Sequence, residues 1–149
     1  MSRSLKFEWF FPEGKDVVWE CLTDSTLISQ WLMANDFQPK VGHKFEFRAN
    51  PQPGWSGIVY CEVLELVPEQ RLSYSWKSGP IPEKIDMHTV VTWTLESKNN
   101  GTLLRMTHEG FAGVKGYLVR MMMGNGWRSH IADALRKTIE KKAIERINS

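Results

Sequence analysis

The sequence is poor in the features that mark disulfide-rich, membrane-spanning or secreted proteins. Only two of its 149 residues are cysteines, Cys21 and Cys61, and they form no Cys-x-x-Cys motif. The apolar runs are far shorter than the roughly 20 residues that a transmembrane helix needs. Charged residues interrupt the apolar stretch at the N-terminus, which therefore lacks a signal-peptide core. These absences predict a cytoplasmic protein with two free thiols and no membrane span.

The sequence also lacks an excess of charge of either sign. Nineteen lysines and arginines stand against seventeen aspartates and glutamates, which leaves a formal net charge of +2. A dedicated nucleic-acid-binding protein needs a concentrated basic face, so no nucleic-acid partner is expected. With 42% hydrophobic and 24% charged residues, the composition is that of a globular protein. The length predicts a single domain over residues 1–149.

Aromatic side chains, by contrast, are abundant. Seven tryptophans, seven phenylalanines and three tyrosines accompany seven methionines. So many large rings in one small domain predict a large core, a ligand cavity, or both.

The spacing of apolar residues predicts an α+β fold. Alternation over residues 5–10 predicts a first strand, and helical spacing over residues 17–22 and 27–32 predicts two short helices. About five further strands follow, and the pattern turns helical from residue 115 onward. One apolar stripe predicts a long C-terminal helix: Trp127, Ile131, Ala134, Leu135 and Thr138. Consecutive antiparallel strands with segregated helices indicate a curved sheet wrapped around that last helix.

Motifs spread over nearly the whole chain resemble those of one protein family. They occur in the order Val18-Trp19, Trp31-Leu32, Val41-Gly42, Pro68 to Trp76, Val91 to Leu95, Gly101 to Leu104, His108 to Phe111, and Gly126-Trp127. In this order the sequence is similar to the family named after the activator of the heat-shock-protein-90 ATPase, within the START/Bet v-like (SRPBCC) superfamily. The resemblance implies a single START-like domain with the helix-grip fold, in which a curved antiparallel sheet surrounds a long C-terminal helix and two short helices follow the first strand.

The resemblance implies a class of functions rather than one function. Family members include a co-chaperone domain, and many single-domain members resemble ligand-binding proteins. The leading hypothesis is a non-enzymatic protein that binds a small hydrophobic molecule, lipid-like or aromatic, for transport or sensing, without a cofactor. One alternative is a co-chaperone-like module that stimulates a heat-shock ATPase in a stress response. Another is a cyclase- or hydrolase-like enzyme. Both a monomer and a homodimer stay open.

Histidines supply the candidate acid–base and metal-binding groups. The four of them, His43, His88, His108 and His130, show no His-x-His or His-x-x-x-His spacing, so no metal site is expected. Asp86 and His88 lie two residues apart, on one face of an extended chain, and form the alternative general-base pair. A surface location is the more ordinary interpretation of that pair.

His108 is the most informative histidine. It shares a strand face with Leu104 and Met106, whereas Glu109 points to the opposite face, so His108 and Glu109 do not form a catalytic dyad. A half-buried histidine bonded to backbone or water is favoured over one that contacts a ligand. The polar groups that could orient a bound ligand are His108, Tyr74 or Tyr117.

Nine residues form the candidate ligand-binding set, and none is predicted to be catalytic. They are Trp31, Phe47, Trp76, Trp93, Met106, His108, Phe111, Tyr117 and Trp127. A closed core favours aliphatic side chains, whereas repeated indoles and methionines suit an adaptable cavity of about 300 Å³ or more. Gly126 is expected to allow close backbone approach, and Trp127 to anchor the last helix. We expect Trp127→Ala to destabilise the fold strongly and His108→Ala much less.

Overall fold

An antiparallel sheet forms the framework of the protein. The computed structural model describes residues 3–111, 124 and 126–149, and seven strands lie within them. They are β1 (Arg3–Phe11), β2 (Ala34–Asn35), β3 (Lys44–Arg48), β4 (Ile58–Val67), β5 (Arg71–Ser78), β6 (Met87–Lys98) and β7 (Gly101–Phe111). Their spatial order is β1-β7-β6-β5-β4-β3-β2. Strands β2 to β7 therefore form a meander, β1 pairs with β7, and β5 is the middle strand.

Two short helices follow β1, as the apolar spacing predicts. They are α1 (Lys15–Thr23) and α2 (Ser25–Trp31). The side chain of Asp24 caps α2 by accepting a hydrogen bond from the backbone N–H of Leu27 at 3.0 Å. The indole N–H of Trp31 donates to the carbonyl of Cys21 at 2.9 Å and joins the two helices.

The C-terminal helix crosses the inner face of the sheet. Its described part includes a π-helical turn, Trp127–Ile131, which continues as α3 (Ala132–Ile147). Leu135 and Ile139 of α3 are fully buried. The guanidinium of Arg136 lies 4.9 Å from the ring centroid of Phe11 and donates to the carbonyl of Phe10. One side chain of the helix therefore reaches the edge strand β1 near its end.

Backbone conformation at two places shapes β7. Asn99 and Asn100 connect β6 to β7 with φ angles of +50° and +64°, as a two-residue hairpin turn with both central residues left-handed requires. Near the other end, the pairing with β1 skips Gly110, which has a φ of +106°. This bulge turns Phe111 to the same side of the sheet as His108, which simple alternation would not do.

The helix-grip fold expected from the sequence is confirmed: a curled antiparallel sheet, short helices after the first strand and a long C-terminal helix. Six strands rather than about five follow the helices, because the two-residue β2 is too short to show a period. At Gly126, where close approach was expected, a Cβ would meet among the described residues only Ile131 Cδ1 at 4.0 Å. Residues 115–123 of the predicted helical stretch lie outside the described residues. None of the helices described is both long and apolar enough to cross a membrane.

Candidate functional site

Three tryptophans meet where the C-terminal helix crosses the sheet. The ring centroid of Trp127 lies 5.8 Å from that of Trp76 on β5 and 5.8 Å from that of Trp93 on β6. All three side chains are buried. Tilted and edge-on pairs at this separation are favourable arrangements for aromatic rings. These ring contacts therefore hold the π-helical turn that carries Trp127 against the centre of the sheet.

Rings from β3 and α2 extend this cluster on two sides. Phe47 of β3 lies 5.4 Å from Trp76, and Trp31 of α2 lies 5.6 Å from Trp93. Both are buried. The candidate residues predicted on separate elements are thus brought together on one side of the sheet.

Strand β7 supplies the other members of the cluster. The ring of Phe111 lies 4.6 Å from that of His108, and Met106 is buried opposite Trp93 in the strand register. Eight of the nine candidate residues therefore occupy one continuous buried region. The ninth, Tyr117, lies outside the described residues.

A chain of hydrogen bonds runs through the middle of this region. The indole N–H of Trp127 donates to Nδ1 of His108 at 3.2 Å, so that nitrogen carries no proton. The proton is therefore assigned to Nε2, which lies 2.7 Å from the hydroxyl of Thr89. That hydroxyl donates to the carbonyl of Trp76 at 2.8 Å. We call this chain from Trp127 through His108 and Thr89 to Trp76 the His108 relay. Each group along it, from the indole N–H of Trp127 to the backbone carbonyl of Trp76, has a hydrogen-bond partner.

The relay decides what His108 can do chemically. Burial lowers the pKa of His108 from 6.5 to about 3, so the imidazole is neutral at physiological pH. With Nδ1 accepting and Nε2 donating, it has no free lone pair with which to act as a general base. The structural role that the sequence favours for His108 agrees with this geometry, but the surroundings of the ring differ from those expected. The ring is fully buried and bonded to side chains, whereas half-burial and bonds to backbone or water were expected.

The interior next to the relay carries no formal charge among the described residues. The described residues whose polar side chains are buried, on either face of the sheet, are Ser56, Ser73, Ser78, Thr89, Thr102, His108 and Thr138. Both cysteines are free and buried. Burial raises the pKa of Cys21 to about 12 and raises the pKa of Cys61 as well. Both thiols therefore stay protonated and unreactive.

The opposite face of the same strands is polar. It holds an open groove of about 720 Å³ lined by hydroxyl-bearing and charged side chains, among them Ser73, Thr92, Thr94, Thr107, Arg71 and Arg105. Arg71 pairs with Glu65 at 3.1 Å, and Arg105 pairs with Glu8 and Glu96 at 2.8 and 3.0 Å. Surface ion pairs of this kind contribute little to stability. An open, hydroxyl-lined surface does not suit a hydrophobic ligand.

The alternative acid–base pair lies away from the buried cluster. Asp86 and His88 are both exposed, and His88 lines the outer groove while its neighbour Thr89 points inward. Within residues 3–111, 124 and 126–149, no three histidine, cysteine or carboxylate side chains come together as a metal site would require.

Two polar residues of the interior stand outside the set of nine, and of these the sequence analysis named only Tyr74, as a group that could orient a ligand. Thr89 completes the His108 relay, and Tyr74 accepts a hydrogen bond from the indole N–H of Trp93 at 3.0 Å. Each was visible in the sequence as a hydroxyl on the apolar face of an alternating strand, beside Val91 on β6 and Trp76 on β5. A hydroxyl at such a position has to find a partner inside the protein.

Comparison with known families now places the chain. The family model described as "Activator of Hsp90 ATPase homolog 1-like protein" matches residues 15–140. The chain belongs to this family. The match runs from the start of α1 into α3 and so includes every described residue of the buried cluster. No curated protein matches the chain.

Solved structures share the fold over nearly the whole chain. Protein MLL2253 from Mesorhizobium loti is 32% identical, with a TM-score of 0.82 over 93% of this chain and 98% of that one. CalU16 from Micromonospora echinospora is 21% identical, with a TM-score of 0.72 over 97% of this chain and 80% of that one. The Aha1 dimer from Colwellia psychrerythraea is 20% identical, with a TM-score of 0.69 over 88% of this chain and 92% of that one. At identities below 25%, the last two show a common fold alone.

Proposed function

We propose that the protein binds a small, uncharged, largely apolar molecule between the inner face of the sheet and the C-terminal helix. The observation that carries this proposal is the continuous buried set of aromatic rings, centred on Trp76, Trp93 and Trp127, in an interior where no described buried side chain is charged. A ligand site is typically apolar, with a few placed polar groups. This proposal includes a cavity of about 300 Å³ or more. It also includes His108 and Tyr117 as residues that contact the ligand.

Burial of apolar surface would supply most of the affinity. At about 25 cal/mol per Å², removing roughly 200 Å² of ligand surface from water contributes about 5 kcal/mol. A charged ligand would lose its hydration without gaining an ionic partner, which costs several kcal/mol. The interior therefore favours a neutral molecule, in keeping with a role in transport or sensing. We further propose that residues 1–149 form one START-like domain that acts in the cytoplasm.

Two neighbouring valines on β6 offer a direct test. Val91 is fully buried on the inner face, between Tyr74 and His108 in the strand register, whereas Val90 lines the outer groove. Val91→Phe would fill the inner space, and Val90→Phe would fill the outer groove by the same added volume. We expect the uncharged dye Nile red to bind wild type and Val90→Phe with equal affinity, and Val91→Phe at least about tenfold more weakly.

The opposite pattern would contradict the proposal. If Val90→Phe loses dye binding and Val91→Phe retains it, the outer groove is the binding surface. Thermal melts of both variants serve as the folding control, because overpacking a core costs typically about 1–3 kcal/mol. Native mass spectrometry of protein purified from its host, searching for a co-purified small molecule, would then identify the natural ligand.

The family match favours a second candidate function. Because residues 15–140 match a family named for activation of a heat-shock ATPase, a co-chaperone-like role in a stress response is the alternative that we propose to test. Adding the purified protein to a heat-shock ATPase should raise its rate of ATP hydrolysis. An unchanged rate together with a lack of complex formation would remove this candidate. The dimer of the Colwellia psychrerythraea relative makes a homodimer worth testing in the same preparation.

The geometry gives little support to the enzyme hypothesis. His108 is neutral, has both ring nitrogens engaged and contacts no carboxylate among the described residues. A hydrolase or cyclase that uses a histidine needs a ring nitrogen free to take a proton from its substrate or from water.

A further inference from the structure

The middle strand of the sheet presents an interior hydrogen-bond donor with no acceptor among the described residues. Tyr74 is 3% exposed, and its hydroxyl oxygen accepts the indole N–H of Trp93 at 3.0 Å. A phenol also has a proton to donate, and no described residue accepts it. The indole N–H of Trp76, two residues further along the same face, likewise donates to no described residue.

The acceptors of the interior are already in use. Nδ1 of His108 accepts from Trp127, and the hydroxyl of Thr89 is occupied on both sides by the His108 relay. Glu13 has a buried carboxylate oxygen without a partner. However, the backbone carbonyl of Glu13 accepts a hydrogen bond from the hydroxyl of Thr102, which lies at the first end of β7, whereas Phe111 lies at the last. Among the described residues, the centre of the interior therefore offers donor protons to a ligand, whereas the acceptors of the His108 relay are engaged.

We infer that the bound molecule presents an acceptor oxygen of the carbonyl type to the hydroxyl of Tyr74, an inference that rests on the proposed function. A ketone, quinone or ester attached to an apolar, flat body would satisfy the phenol proton. An amine or alcohol would leave its own donor unsatisfied, and a carboxylate would be a buried charge without a cation.

The surroundings of Tyr74 suit this role. Burial raises the pKa of Tyr74, so the hydroxyl keeps its proton at neutral pH. The rings of Phe45 and Phe47 lie 5.5 and 6.1 Å from that of Tyr74. A flat apolar body whose oxygen is bonded to Tyr74 would therefore lie against aromatic surface.

Two probes of nearly equal shape separate the oxygen from the apolar body. 2-Acetylnaphthalene carries a carbonyl where 2-isopropylnaphthalene carries a methine and a methyl group. Because the isopropyl compound is the more hydrophobic, burial alone would favour it. We expect wild type to bind the acetyl compound about tenfold more tightly, and Tyr74→Phe to abolish that preference. Tyr60→Phe is the matched control, since Tyr60 lies on the outer face of β4 and pairs with the exposed Lys77.

Each outcome decides the inference. Equal affinity of wild type for the two probes, or an unchanged preference in Tyr74→Phe, overturns it. Nile red binding without binding of either naphthalene overturns it too, while the proposed function stands. Lack of binding by all three compounds overturns the proposed function and the inference together.

A measurement on wild type removes any dependence on how Tyr74→Phe folds. The carbonyl stretching band of bound 2-acetylnaphthalene should lie at lower frequency than in hexane, because a hydrogen bond weakens the C=O bond. A band at the hexane position would contradict the inference.

Discussion

The two faces of strands β5 to β7 satisfy their polar groups in opposite ways. On the inner face, Trp127, His108 and Thr89 form a closed relay that needs no water. On the outer face, hydroxyls and ion pairs such as Arg105 with Glu8 border an open groove. Water can replace any lost partner on the outer face, but nothing replaces one inside. We therefore expect stability and ligand choice to depend on the inner face, and the outer face to tolerate change.

The largest effect should come from the ring that joins the helix to the sheet. Trp127→Ala removes contacts with Trp76, Trp93 and His108 and should lower the free energy of unfolding by about 3–5 kcal/mol. Chemical denaturation measures it. Lys137→Ala on the exposed side of α3, where Lys137 pairs with Asp133, is the control and should cost less than about 0.5 kcal/mol. If Trp127→Ala melts like wild type, Trp127 does not anchor the helix.

The next largest effect should come from breaking the relay at its centre. The sequence suggested a small cost for His108→Ala. The structure revises this expectation, because the variant leaves the Trp127 N–H without an acceptor and Thr89 without a donor. We expect a loss of about 2–3 kcal/mol at pH 7. A double-mutant cycle with Trp127→Phe should show a coupling energy above about 0.5 kcal/mol. Additive losses would mean that the relay bond contributes nothing of its own.

The third effect, smaller than the first two, should be a loss of folding stability in acid. His108 binds a proton near pH 6.5 in the unfolded chain but only near pH 3 in the folded one. The unfolded state therefore takes up the proton first, and stability falls as the pH drops from about 6.5 towards 3. Between pH 7 and pH 5 the stability advantage of wild type over His108→Ala should shrink by about 2 kcal/mol. A difference that is constant over this range would show that His108 titrates normally in the fold.

The smallest effect should come from the outer face. Arg105→Met removes both ion pairs with Glu8 and Glu96. Its melting temperature should differ from that of wild type by no more than the scatter between repeat melts, with or without added salt, because these charges are exposed. A clear drop in melting temperature at low salt would mean that the outer ion pairs stabilise the sheet after all.

Local signals in the sequence were sufficient for most of the framework. Alternation places Trp76 and Trp93 on one face of their strands, and both are buried on the inner face. Asn99 and Asn100, residues that tolerate positive φ angles, form the hairpin turn between β6 and β7. These features depend on neighbours within a few residues. The family motifs then added the arrangement of sheet and helix, which the structure and the similar fold of MLL2253 confirm.

The details of the site depend on contacts between distant residues. His108 and Trp127 meet across nineteen positions, and Phe111 joins His108 only because Gly110 forms a bulge. No period in the sequence encodes either contact. For the same reason the sequence could not choose among His108, Tyr74 and Tyr117 as groups that orient a ligand. In the structure, partners within the protein satisfy both nitrogens of His108, and Tyr74 is the group to which we assign that role.

The most direct test is to map which face binds a neutral apolar probe. In ¹H–¹⁵N spectra titrated with 2-acetylnaphthalene, the indole N–H resonances of Trp76, Trp93 and Trp127 should shift and saturate together. The backbone amides of Thr92, Thr94 and Arg105 are no reference, because they share strands with inner residues. In ¹H–¹³C spectra of the same titration, the Cγ2 methyl groups of Thr92 and Thr94, which line the outer groove, should stay unchanged. Shifts confined to those threonine methyl groups, or no shifts with either 2-acetylnaphthalene or Nile red, would contradict binding at the inner face.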